Sequence, residues 1–241
     1  RAAVRSGAGL VHLAVPEPVY GITAVKNDES MPFPLPADEN GMFSSSGAAQ
    51  FLEKLSACDV LAIGPGMGRS REAVRFALDV IAGSDKPTVA DADGLYALSR
   101  DMSVVARRGN LVLTPHEGEF ASMGGELTGD RVSDARAFAG RWGCTLVLKG
   151  HRTVIAFPDG EAYISTHGNP GMAKGGSGDV LTGILAAMLG QLEFRRAVTT
   201  AVHLHGLAGD LCREEMGEYA MTAGDVIETL PRATKKMMRQ E

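Results

Sequence analysis

Cysteine is scarce in this chain. Cys58, Cys144 and Cys212 are odd in number and far apart, and no CxxC pair occurs. That argues against a disulfide framework and against a zinc site. A reducing cytosol fits. No run of 18 apolar residues occurs, so no membrane-spanning helix is expected. The opening "RAAVRSGAGLVHLAVP" lacks a signal-peptide apolar region of adequate length. An excess of positive charge is missing as well. The formal net charge is −5, where a nucleic-acid footprint is normally basic. The short basic tail "RATKKMMRQE" reads as the solvated face of a terminal helix.

Glycine, by contrast, is abundant, at 30 residues, in a chain that is 44% hydrophobic and 22% charged. High glycine without low complexity points to tight turns, or to backbone brought close to a ligand. The 241 residues are enough for one large core. Short β-branched runs alternate with helical spacing. Strands are expected at 9–16, 59–63, 88–91, 111–114 and 145–148, and a hairpin at 152–166 turning on Pro158, Asp159 and Gly160. Helices are expected at 48–59, 70–84 (capped by Ser70), 130–143, 179–190, 194–216 and 222–230 (capped by Thr222). The Pro-rich stretch 31–46 reads as irregular. The first residues read as the last turn of a helix, a glycine turn and a strand, as if an earlier strand and helix were absent. With neither linker nor internal repeat, residues 1–241 form one α/β domain, its mainly parallel sheet covered on both faces.

Ligands of such sheets collect at the carboxyl ends of the strands. There the sequence places "GPGMG", "DADGL", "TPHEGE" and "KGHRT". The densest signal is "GNPGMAKGGSGDVLTGILAAMLG" at 168–190. Five glycines in eleven residues, then one acid, Asp179, precede an unbroken apolar run. Free backbone N–H groups and a helix N-terminus favour phosphate. An acid there opposes phosphate unless it does chemistry, such as taking a proton from an attacking hydroxyl. This is no Walker loop, because no "GK[ST]" follows the glycines.

Other residues admit two readings each. Lys174 is either a phosphate contact or simply exposed. His116 binds substrate or starts a helix, with Glu117 and Glu119 favoured in its first turn or helping to hold Mg²⁺-bound water. "DAD" holds a hydroxyl or a metal-bound water, or Asp93 caps. Lys149 to Thr153 hold a nucleotide or form a tight β connection. His203 and His205 stand two apart on a helix and point to different faces, so both read as packing residues.

Taken together, "GPGMG", "DADGL", "LTPHEGEF", "LKGHRTVI" and the 168–190 block resemble the ADP-dependent NAD(P)H-hydrate dehydratases over essentially the whole chain. The resemblance implies a ribokinase-like fold and a cytoplasmic, homotetrameric enzyme. It would repair NADHX or NADPHX with ADP (or ATP) and Mg²⁺. It implies Asp179 as the catalytic residue, between nucleotide and hydrate. His116 and the glycines Gly64, Gly66 and Gly68 would touch the hydrate. Lys149, Gly150, His151, Arg152 and Thr153, with Gly175, Gly176, Ser177 and Gly178, would hold the adenine nucleotide. Three departures from the pattern stand out. A first strand with its glycine turn and an epimerase domain are not in this sequence, and the loop's usual threonines are replaced, giving "AKGGSGD". Two alternatives are a hydroxyethylthiazole or hydroxymethylpyrimidine kinase and a non-catalytic nucleotide-binding module.

Overall fold

The computed structural model describes residues 1–106 and 108–239. Gln240 and Glu241 of the basic tail lie outside the described residues.

Six strands form the main sheet in the order β3 to β8: Leu61–Ile63, Thr88–Ala90, Leu111–Leu113, Thr145–Leu148, Val154–Ala156 and Ala162–Ile164. The first four run parallel, and β7 and β8 turn back antiparallel as the expected hairpin. Side chains alternate across a strand. Leu111 and Leu113 therefore enter one core while Val112 enters the other, and Leu146 and Leu148 part from Val147 in the same way. One core is closed by α3 (Ala48–Leu55), α4 (Arg71–Gly83), α5 (Asp93–Leu98), α6 (Glu117–Ser122) and α7 (Arg131–Trp142). The other is closed by α1 (Ala2–Arg5), α8 (Ser177–Leu189), α9 (Phe194–Ala220) and α10 (Ala223–Met237). The apolar run of α8 is thereby explained. Val180, Leu181, Ile184, Leu185 and Met188 are buried among sheet and neighbouring helices.

Both expected caps are present. Ser70 Oγ accepts from Ala73 N at 3.1 Å, and Thr222 makes a reciprocal capping box with Asp225.

Three expectations need correction. The 31–46 stretch is not wholly irregular. Met31–Leu35 is a strand, β2, paired in parallel with β1 (His12–Pro16) in a separate two-stranded sheet. Pro32 and Pro34 alternate, so their missing N–H groups fall on the side away from β1. A helix, α2 (Glu17–Lys26), went unforeseen because it buries no side chain and so carries no apolar stripe. Last, α10 runs past Pro231 to Met237, since Val226, Leu230 and Ala233 bury one face across the proline.

Candidate active site

The loops after β3, β4, β5 and β6 meet at one edge of the sheet, and their contacts are specific. Gly64 lies so close to the β4 loop that an added Cβ would stand 1.8 Å from the Asp91 carbonyl oxygen. Gly68 N donates to Asp93 Oδ2 at 2.9 Å, and Arg69 pairs with the other oxygen at 2.7 Å. Asp93 thus ties the two loops together. It does not cap α5, whose N-cap position is Ala92 without a side-chain bond. Ala92 itself has φ 47 and ψ −116. Such backbone costs about 1–3 kcal/mol in a non-glycine residue, and it persists where surrounding bonds enforce it.

Those bonds centre on Asp91, which is 1% exposed. Its Oδ1 accepts from Ala92 N at 2.9 Å and from Lys149 Nζ at 2.7 Å, and its Oδ2 accepts from Thr182 Oγ1 at 2.8 Å. A buried carboxylate is tolerated only when so satisfied. Asp91 therefore joins β4, the end of β6 and α8. The sequence singled out "DAD" without separating this hub from the tie at Asp93. Lys149 also lies 3.8 Å from Glu119, and a Cβ on Gly178 would sit 3.2 Å from its Nζ. The ammonium thus stands beside the start of α8.

His116 starts a helix, one of the two readings its position suggested. Its Nδ1 accepts from Gly118 N and Glu119 N, while Glu119 Oε2 accepts from His116 N, closing a capping box on α6. The rest of the ring remains exposed.

The turn after β6 is held from behind by a residue the sequence reading missed. Arg131 donates to the carbonyls of Leu148, Lys149, His151 and Arg152 and lies 3.1 Å from Glu117. This fixes Gly150 at φ 150 and Arg152 at φ 58. Thr153 Oγ1 donates to Gly150 O within the turn, and His151 and Arg152 are exposed. No local signal marks Arg131, since its partners are backbone carbonyls about twenty residues on.

The glycine loop enters α8 with Gly176 at φ 89 as N-cap. Around a Cβ placed on Gly66 or Gly175 no protein atom comes within 4 Å, so both open to space. Ser177 is buried, and its hydroxyl lies 3.5 Å from His205 Nε2. His203 instead meets His167 edge to face at 4.7 Å. The two histidines thus serve different neighbours. Asp179 stands exposed in the first turn of α8. Partial burial and then Asp91 raise its pKa above the ordinary carboxylate value, and Lys149 opposes them.

Sequence and fold are similar to those of known proteins. The NAD(P)H-hydrate dehydratase family profile matches residues 1–232. The chain belongs to the NAD(P)H-hydrate dehydratase family. A bifunctional NAD(P)H-hydrate repair enzyme of Moorella thermoacetica is 46% identical over 236 residues, 95% of this chain. The chain spans 44% of that relative's length. The ADP/ATP-dependent NAD(P)H-hydrate dehydratase of Bacillus subtilis, crystallised with ATP/Mg²⁺ and soaked with CoA, superposes with a TM-score of 0.76 at 30% identity. It covers 98% of this chain and 84% of its own. A ribokinase-like superfamily protein of Enterococcus faecalis reaches 0.83 at 28% identity, covering 98% and 80%. This dehydratase-family chain is therefore ribokinase-like in fold.

Proposed function

We propose that this chain returns hydrated NADH or NADPH to the working dinucleotide, with ADP converted to AMP and phosphate. The observation that carries the reading is Asp179. It is an exposed acid in the first turn of α8, directly after a glycine loop and beside Lys149. The backbone of Gly175, Gly176 and Gly178 before it suits phosphate, and an acid among them opposes phosphate unless it takes a proton.

Hydroxide leaves carbon poorly, whereas phosphate leaves well. In the proposed reaction Asp179 takes the proton of the C6 hydroxyl, whose oxygen attacks the terminal phosphoryl of ADP. The O–P bond forms as the bridging P–O bond breaks, giving AMP. Phosphate then departs from C6 with its electron pair, a proton leaves the neighbouring carbon, and the dihydropyridine is restored. Lys149 and the N–H groups of Gly175, Gly176 and Gly178 offset charge on the phosphoryl oxygens. Gly66 and the exposed ring of His116 form the hydrate side, and Lys149 to Thr153 the adenine side.

The name of the Bacillus protein supports ADP or ATP as donor, and that protein was crystallised with ATP/Mg²⁺. Among the described residues no three His, Cys, Asp or Glu side chains gather as a metal cage. Mg²⁺ keeps most of its waters and takes phosphate oxygens, so it would enter with the nucleotide. Glu119, 3.8 Å from Lys149, would help to hold one of its waters. When bound, Mg²⁺ neutralises charge on the transferred group. The reading extends to a cytoplasmic homotetramer. Three unpaired cysteines fit a reducing compartment, and sedimentation of the purified chain gives the assembly mass.

The test is recovery of dihydronicotinamide absorbance from hydrated NADH with Mg²⁺ and either ADP or ATP. Recovery that requires nucleotide bears the proposal out and names the donor. A stable phosphorylated product would instead make the chain a small-molecule kinase.

A further inference from the structure

Lys174 sits in the glycine loop, where a cation invites the reading of a phosphate ligand. Its ammonium points elsewhere. Nζ donates to the backbone carbonyls of Glu218, Tyr219 and Met221 at 3.3, 2.7 and 2.6 Å. An ammonium has three protons, and each here has an acceptor. The acceptors exist because α9 breaks at Gly217, with φ 76 and ψ 165, leaving carbonyls beyond the break without helical partners. They also lie at the negative end of the helix dipole, where a cation is favoured.

A second set of contacts ties the same loop further up α9. Asp210 accepts from His167 Nδ1 at 3.0 Å, Gly168 N at 3.1 Å and Asn169 Nδ2 at 3.2 Å. Gly209 and Gly171 allow the close approach. A Cβ on Gly209 would meet Met172 Sδ at 2.2 Å, and one on Gly171 would meet Glu218 O at 2.7 Å. From 167 to 174 the chain is therefore fastened to α9. Beyond Lys174 lies Gly175, which opens to space, and then Asp179. The fastening ends where the site begins.

We propose that Lys174 is a positioning residue. It locks the glycine loop onto the broken end of α9, so that the N–H groups of Gly175, Gly176 and Gly178 are arranged for a nucleoside diphosphate before it arrives. The proposal rests on the reading of that loop as the nucleotide site. Lys174 acts on ADP through the loop and makes no contact with it.

The experiment compares wild type with Lys174→Met and Lys174→Arg in the full chain. Amide hydrogen exchange is measured over 168–178 in the ligand-free protein, ADP affinity by calorimetry, and KM for ADP and for the hydrate separately. Lys174→Met is expected to speed exchange across the loop and to weaken ADP about tenfold, as though a tenth of molecules held a competent loop. KM for the hydrate stays unchanged, and Lys174→Arg restores both exchange and ADP affinity. Weaker ADP with unchanged exchange would make Lys174 a phosphate ligand and overturn the proposal. Faster exchange with unchanged ADP affinity would make it a structural tie only, and would overturn it equally. Wild type that binds ADP without turnover would sink the repair reaction and leave the Lys174 comparison decidable by exchange and calorimetry alone.

Discussion

Opposing influences meet at Asp179. Burial and the Asp91 charge hold its pKa above the ordinary carboxylate value, and Lys149 draws it down. A general base must be ionised, so activity should fall as pH drops through that raised pKa. Lys149→Met removes the cation and should move this acid limb to higher pH in a pH–rate profile. Asp179→Asn should keep ADP binding and lower kcat by about 10²–10⁴-fold, the usual worth of a positioned base. Turnover near wild type in that variant would remove Asp179 from the reaction. A residue-scale test of the scaffold is Gly64→Ala. The new methyl would stand 1.8 Å from the Asp91 carbonyl, at φ 126, so neither rotation nor a side-chain shift relieves it. The β4 loop must move. Activity and thermal midpoint should fall together, whereas Gly66→Ala, also at a positive φ of 71 but in open space, should leave the Asp91 turn in place.

Helix α9 carries a titration of its own. Desolvation draws the His205 imidazole down to about 4, with Ser177 opposing and Lys149 assisting. Unfolded chain takes up a proton near pH 6.5 that the folded state refuses until about pH 4. Between those values the unfolded state binds more protons, so stability declines as pH falls through the window. The effect amounts to on the order of 3 kcal/mol if the whole shift is realised. His205→Asn should flatten this slope in urea midpoints measured across the window.

At the scale of the molecule, the sheet separates two cores that share no side chains. Ile184 and Leu113 are both fully buried, one in each. Each truncation to Ala should cost about 2–5 kcal/mol. Because the sheet stands between them, the double variant should be additive to within about 0.5 kcal/mol in chemical denaturation. A marked shortfall would mean that strain passes through β5. The same layering explains the site. Four parallel strands deliver four loops to one edge, and α8 enters from the second core with its N-terminus among them.

Much of this was legible in the residues. Strand alternation and the caps at Ser70 and Thr222 need only neighbours within a few positions, so local pattern suffices for them. The same holds for the glycine loop before α8, where Gly176 must take a positive φ and Asp179 must follow in the first turn. Elements lacking a local signature stayed hidden. Helix α2 buries nothing, β2 hides its pairing behind prolines, and α10 crosses Pro231 on the strength of a buried face. The candidate site residues divide along the same line. Asp179 and His116 declare themselves by the loops that carry them. Asp91, Arg131 and Lys174 do not, because their partners are Lys149 and Thr182, the 148–152 carbonyls, and the broken end of α9. The sequence by itself determined which backbone turns and which acid the candidate site contains. The tertiary structure decided what each charge holds, because a charge takes its role from partners that only the fold brings within hydrogen-bonding distance.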